Sequence, residues 1–201
     1  MNFYWFSLPG RNRIVALTAI DSTQAATAEF PVFFDHTNQR KQGSVMTVAL
    51  EERTAAQQAL EDTRAAAAAA GTPYAGGVAP DVAWALFAAG DALLVDVRTA
   101  EERKFVGHVP ESLHVPWATG TSLTRNPRFV RELEAKTGKD AVVLLLCRSG
   151  NRSAQAAEAA TKGGFTQVFN VLEGFEGDLD ERQHRGGSNG WRFRGLPWAQ
   201  D

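Results

Sequence analysis

Cys147 is the only cysteine of the chain, and its setting suits nucleophilic chemistry. It ends a continuous apolar run and opens a short polar segment with the sequence Cys147-Arg148-Ser149-Gly150-Asn151-Arg152-Ser153. Gly150 can adopt backbone conformations closed to most residues, and Asn151 tolerates left-handed geometry. Because a helix is predicted to follow, the backbone N–H groups of the segment can turn inward around a single point. We therefore predict an anion-binding loop at Cys147.

The same features favour a nucleophilic thiolate. The positive end of a helix dipole and the charges of Arg148 and Arg152 stabilise an anion beside them. The alternative is a buried structural cysteine, the more common fate of a lone cysteine. An inert core residue, however, has no need of an arginine-flanked loop that contains glycine. We predict that Cys147 is catalytic and that residues 148–153 bind the substrate.

Strand and helix patterns alternate around this loop. The predicted strands cover residues 92–95, 113–115, 141–146 and 167–172, and the predicted helices cover residues 80–89, 99–106, 126–137 and 153–161. Such alternation predicts an α/β sandwich in which a central parallel sheet is flanked by helices. The run 141–146 is apolar throughout, which is typical of a central strand covered on both faces. Cys147 follows it directly, at the sheet edge where ligands bind in such folds.

Less regular sequence flanks the sandwich, which is predicted to occupy residues 80–180. Residues 1–45 have no sustained period and predict an irregular extension, and Met46 is a second candidate for the start of the chain. Residues 46–79 predict a helix from about Val48 to Ala70, followed by a linker. Residues 181–201 mix arginines, glycines and aromatics. We expect this tail to pack on the sandwich near the active-site edge through Trp191 and Trp198, rather than to bind RNA.

Composition excludes several classes of protein. Lys and Arg total 21 and Asp and Glu total 23, so the formal net charge is −2 and nucleic acid is not an expected partner. One cysteine permits no intramolecular disulfide and no cysteine zinc cluster, and the four histidines show no metal-ligand spacing. We predict no metal and no cofactor. The longest apolar run near the start is too short to span a bilayer, so we expect a cytoplasmic protein with no membrane partner.

An ordered set of motifs resembles the rhodanese-like family of sulfurtransferases over about residues 80–177. In chain order, the motifs are Leu94-Val95-Asp96-Val97-Arg98, then Glu101 with Gly107-His108-Val109-Pro110, then the segment 147–153, then Leu172-Glu173-Gly174. Glu111-Ser112 depart from the pattern, since the family more often has Gly-Ala there. The resemblance implies the rhodanese fold, a three-layer sandwich. It also implies that Cys147 takes a sulfane sulfur from a donor, becomes a persulfide and passes the sulfur on.

The resemblance also implies partners and further roles. The donor would be thiosulfate or a protein persulfide, and the acceptor cyanide or a thiol. Because the chain has no second cysteine, the acceptor must be external, and ping-pong kinetics follow. We expect Arg148 and Arg152 to stabilise the leaving group. Asp96, Arg98 and His108 match family positions that serve the structure near the site.

Two other functions stay open at this stage. One is a non-enzymatic persulfide carrier or partner-binding module that uses the same loop. The other is a cysteine-dependent phosphatase, because the cell-cycle dual-specificity phosphatases share the fold and the Cys…Arg loop. Their loop has five residues between cysteine and arginine, whereas four separate Cys147 from Arg152. The shorter ring suits a single sulfur atom rather than a tetrahedral phosphate.

Overall fold

The computed structural model describes residues 5–6, 15–16 and 36–200 of the chain, which divides into two compact units, Met1–Ser44 and Val45–Asp201. In the first unit, β1 (Trp5–Phe6) pairs antiparallel with β2 (Val15–Ala16). Helix α1 covers His36–Ala70. The predicted irregular extension is therefore wrong for these strands and for residues 36–45, and its other residues lie outside the described part. An internal glycine such as Gly43 costs a helix only about 1 kcal/mol, and strong helix formers precede it.

Strands and helices alternate along the second unit. After α1, its elements are β3 (Gly77–Val78), α2 (Pro80–Ala88), β4 (Leu93–Asp96), α3 (Ala100–Val106), β5 (Leu113–His114), β6 (Ala118–Thr119), β7 (Thr124–Arg125), α4 (Phe129–Thr137), β8 (Val143–Leu146), α5 (Asn151–Lys162) and β9 (Val168–Val171). Five of the strands form a parallel sheet in the order β3-β9-β8-β4-β5, which confirms the predicted α/β fold. A short antiparallel hairpin, β6 with β7, lies outside this sheet.

Two apolar clusters, one on each face of the sheet, pack the helices against it and so form a three-layer arrangement. Alternate residues of β8 point to opposite faces, so Leu145 packs with α4 and α5 while Leu144 packs with α1 and α2. All four residues of β8 are buried, as the apolar run predicts. All four residues of β9 are also buried, because the two clusters cover both faces of this strand. Within the described residues, no helix is long and apolar enough to cross a membrane.

The tail after β9 closes part of this core. Trp191 is fully buried in the cluster beside α2, edge-on to Trp84 with ring centroids 6.1 Å apart. Its indole N–H donates to the Pro197 carbonyl at 2.9 Å, and its backbone N–H donates to the Gly174 carbonyl at 2.8 Å. The tail is thus anchored directly to the turn that follows β9.

Candidate active site

The sulfur of Cys147 lies over the first turn of α5. The residue follows β8 directly and is 1% exposed. Gly150 caps the helix with φ +88°, and this left-handed conformation turns its N–H toward the sulfur, to which it donates at 3.2 Å. The hydroxyl oxygen of Ser153 lies 3.1 Å from the same sulfur. The Gly150 N–H, the Ser153 hydroxyl and the N-terminus of α5 therefore meet at one sulfur atom.

The two arginines of the loop have different surroundings. Arg152 is half-buried and forms a bidentate ion pair with Glu102 of α3, with distances of 2.8 and 2.6 Å. The pKa of Arg152 is raised, chiefly by this hydrogen bonding, and the charge of an ionised Cys147 raises it further. Arg148 is exposed, and its side chain forms no hydrogen bond or ion pair with the residues that the structure describes. Of the other two predicted loop residues, Ser149 is half-buried and Asn151 is exposed.

Glu102 is a site residue that the sequence analysis missed. It completes a capping box, since its backbone N–H donates to Thr99 Oγ1 and its carboxylate accepts from the Thr99 N–H. Burial alone would raise the pKa of the Glu102 carboxyl, but hydrogen bonds and charge from Arg152 hold it below its ordinary value. The pattern Thr-x-x-Glu is the sequence signal for such a box. The motif resemblance points to the neighbouring Glu101, which is exposed.

Asp96 and Arg98 form a fully buried ion pair at the end of β4, with Nη2 to Oδ2 at 2.7 Å. Arg98 Nη2 also donates to the Gly107 carbonyl at 2.7 Å, and the guanidinium stacks 4.1 Å from the ring centroid of Phe175. His108 pairs through its backbone with Ala199 of the tail. These three predicted residues therefore join loops around the site, and the described contacts do not include one to the sulfur.

The turn after β9 supports the loop from the other side. The N–H of Phe175 donates to the Cys147 carbonyl at 2.8 Å, and that of Glu176 to the Arg148 carbonyl at 2.9 Å. Gly174 has φ +66°, and a Cβ added there would lie 2.5 Å from the backbone of Arg148 and Ser149. Only glycine permits so close an approach.

Asn170 of β9 is a second residue that the sequence analysis did not single out. It is 4% exposed, and its side-chain Oδ1 lies 2.6 Å from the Ser153 hydroxyl.

The tail also contacts the turn after β9. Arg194 bridges Glu173 and Asp81, and the Trp198 ring lies edge-on to Phe175 at 6.2 Å. Trp191 lies in the core, so of the two tryptophans only Trp198 is placed near the surface of the site.

The arrangement has the parts that nucleophilic chemistry needs. They are a buried sulfur, a backbone N–H and a hydroxyl within hydrogen-bond distance of it, and a nearby paired guanidinium. Among the described residues, no group of three His, Cys, Asp or Glu side chains is placed to hold a metal ion.

Comparison with known proteins gives consistent matches. The family model described as Rhodanese-like domain matches residues 79–181. The crystal structure of Rv0390 from M. tuberculosis is 46% identical with a TM-score of 0.58, and the match covers 64% of this chain and 99% of that one. An uncharacterized protein, the RP600 homolog of Rickettsia rickettsii, is 34% identical over 54% of this chain and 83% of its own length. Thiosulfate sulfurtransferase 16, chloroplastic, of Arabidopsis thaliana is 30% identical over 60% of this chain and 89% of its own length.

Proposed function

The chain belongs to the rhodanese-like domain family, and from that premise we propose that it is a sulfurtransferase that works through a persulfide on Cys147. The observation that carries the proposal is the position of the sulfur. It lies over the N-terminus of α5, within hydrogen-bond distance of the Gly150 N–H and the Ser153 hydroxyl. A relative named as a thiosulfate sulfurtransferase aligns over 89% of its own length and supports the same chemistry.

The reaction has two displacement steps. The Cys147 thiolate attacks the outer sulfur of thiosulfate, so that a new S–S bond forms on the cysteine while the S–S bond of thiosulfate breaks and sulfite leaves with the electron pair. Cyanide or an external thiolate then attacks the outer sulfur of the persulfide and releases the Cys147 thiolate. No other oxidant or reductant is consumed, because each step exchanges one sulfur bond for another.

The two arginines serve different purposes in this scheme. Arg152 is held by Glu102 and supplies a fixed positive charge close to Cys147. Arg148 has no ion-pair partner in the described part of the chain, so its guanidinium is available to the departing sulfite. Because Cys147 is only 1% exposed as a residue, we expect the donor to present a slim terminal sulfur rather than a bulky group.

The direct test is turnover of thiosulfate and cyanide to thiocyanate and sulfite by the full chain. We expect the wild-type protein to catalyse the reaction and Cys147→Ser to abolish it, while Cys147→Ser keeps the fold because the hydroxyl is smaller than the thiol. Full turnover by the serine variant would contradict the proposal. Persulfide loading without turnover would indicate a carrier, and hydrolysis of an aryl phosphate without sulfur loading would indicate a phosphatase.

A further inference from the structure

We propose that Asn170 is a positioning residue that turns the Ser153 hydroxyl toward the sulfur of Cys147 when the thiol is ionised. The inference rests on the proposed function only in taking Cys147 as the nucleophile. It starts from a chain of contacts in which the Asn170 amide lies 2.6 Å from Ser153 Oγ, and Ser153 Oγ lies 3.1 Å from Cys147 Sγ.

The fold places these three residues together. Successive side chains of a strand alternate between faces, so Asn170 lies on the same face as Val168. Val168 packs in the cluster that contains Ala156 and Ala157 of α5. Asn170, two residues further along β9, thus meets the first turn of α5, where Ser153 is fully buried. A buried amide at this position needs a hydrogen-bond partner, and Ser153 is the one that the structure gives to its side chain.

The number of protons limits what Ser153 can do. Its hydroxyl has one proton but three acceptors within reach: Asn170 Oδ1 at 2.6 Å, Cys147 Sγ at 3.1 Å and the Gly150 carbonyl at 3.1 Å. When the proton goes to Asn170, a protonated thiol can donate to the Ser153 oxygen. A thiolate has no proton to donate and instead needs the serine proton for itself.

A half-turn of the Asn170 amide satisfies the thiolate form. The amide presents an acceptor at one end and two N–H donors at the other, in nearly the same shape. With Nδ2 toward Ser153, the amide donates to the hydroxyl oxygen and the hydroxyl donates to the sulfur. The thiolate then receives two hydrogen bonds, from Ser153 and from Gly150. No covalent bond changes in this rearrangement, and the proton that leaves is the proton of the thiol.

Other charged groups surround the thiol and set a constant background. Those on the elements packed around it are Arg148 on its loop, Arg152 on α5, Glu102 on α3, the pair Asp96 and Arg98 at the end of β4, and Glu173 with Arg194 beside the turn after β9. Substitution of the neutral Asn170 by a neutral residue leaves all of these charges in place. A change in thiol ionisation is then attributable to hydrogen bonding rather than to charge.

The test is the pH midpoint of Cys147 alkylation by iodoacetamide in the full chain. We expect Asn170→Ala to raise the midpoint by about 1 pH unit, because a hydrogen bond to the charged form is weakened. Ser153→Ala should raise it similarly, and the double variant should raise it no further than Ser153→Ala alone. An unchanged midpoint in Asn170→Ala would overturn the inference. So would a rise from Asn170→Ala that is as large in the Ser153→Ala variant as in the wild-type chain. Asn126→Ala removes a half-buried, hydrogen-bonded asparagine away from the thiol and should leave the midpoint unchanged.

A second variant covers the case in which Asn170→Ala does not fold. Asn170→Asp keeps the shape and the acceptor but lacks the N–H donors, so it holds the serine proton away from the sulfur. Its charge adds a rise that persists without Ser153. We therefore expect Asn170→Asp to raise the alkylation midpoint more in the wild-type chain than in the Ser153→Ala variant. Equal rises of the midpoint in the two would contradict the inference. Sulfur uptake from thiosulfate separates the two proposals. If the chain takes up sulfur but substitution of Asn170 leaves the alkylation midpoint unchanged, only the inference is contradicted. If substitution of Asn170 shifts the midpoint only when Ser153 is present but no sulfur is taken up, only the sulfurtransferase proposal is contradicted.

Discussion

At the scale of single residues, the pairing of Arg152 with Glu102 fixes the orientation of a charged side chain near the thiol. Both side chains are less than a quarter exposed, and the two hydrogen bonds fix the guanidinium beside α5. A lysine could not make this bidentate contact. The pair therefore sets the local charge around Cys147 and also ties α3 to α5.

Replacement of Glu102 by glutamine isolates this charge, since glutamine also completes a capping box. We expect Glu102→Gln to lower the free energy of unfolding by about 1–2 kcal/mol at pH 7 and to reduce turnover. Pairing with Arg152 holds the pKa of Glu102 below its ordinary value in the folded chain, so the stability from the pair is fully present above the ordinary pKa and is lost as the pH falls through the folded one. The difference from wild type should therefore persist from pH 5 to 8 and shrink in stronger acid.

Urea unfolding at pH 7 and at about pH 3.5 measures this difference. Glu101→Gln is the matched control, because Glu101 is exposed and its neighbour forms the ion pair. Equal losses in the two variants would contradict the role given to Glu102.

The residues that the sequence could and could not identify differ in one respect. The positions of Cys147, Gly150 and Ser153 relative to one another follow from a continuous loop entering a helix, so local patterns predict them. Glu102 lies 50 residues from its partner Arg152, and Asn170 lies 17 residues from Ser153. Those pairings depend on which elements pack together, and a single sequence carries no signal for them.

At the scale of elements, the loop and the turn after β9 are fitted to each other at Gly174. We expect Gly174→Ala to displace the loop, because its Cβ would lie 2.5 Å from the Arg148 and Ser149 backbone. A misplacement of about 1 Å at a reacting group can cost roughly 100-fold in rate. Thiocyanate formation by the variant measures the effect.

Gly120→Ala is the control for backbone strain. Gly120 has φ +67°, nearly the same as Gly174, but an added Cβ there meets no atom within 4 Å. Both variants carry a strain of about 1 kcal/mol, and only Gly174→Ala should lose activity. Comparable activity in the two variants would show that the close approach is unimportant.

Element types were more predictable than element contacts and bounds. The apolar run at 141–146 predicts β8, and the helices predicted at 80–89 and 153–161 match α2 and α5 to within about two residues at each end. The sequence of β9 alternates in character, yet all four residues are buried because apolar clusters cover both faces of the sheet there. The edge strand β3 has only two residues and lies in a glycine-rich stretch, so no periodicity marks it. Helix α4 begins at Phe129 instead of 126 because the Asn126 side chain accepts from the Arg128 N–H and forms a turn.

At the scale of the whole molecule, the tail contributes to the core as well as to the edge of the site. We expect Trp191→Ala to lower the free energy of unfolding by about 3–5 kcal/mol, because the ring is fully buried and its removal leaves a cavity. Phe193→Ala, in the same tail but 52% exposed, should change it by less than about 0.5 kcal/mol. Denaturant unfolding of both variants compares them, and similar small losses would show that the tail is not part of the cooperative unit.

The central claim is that the buried thiol of Cys147 accepts and holds a sulfur atom. Intact-mass measurement after incubation with thiosulfate tests it directly. The account predicts a gain of about one sulfur atom that a reducing agent removes and that is absent from Cys147→Ser. A wild-type mass that stays unchanged, or an equal gain in the serine variant, would contradict the account.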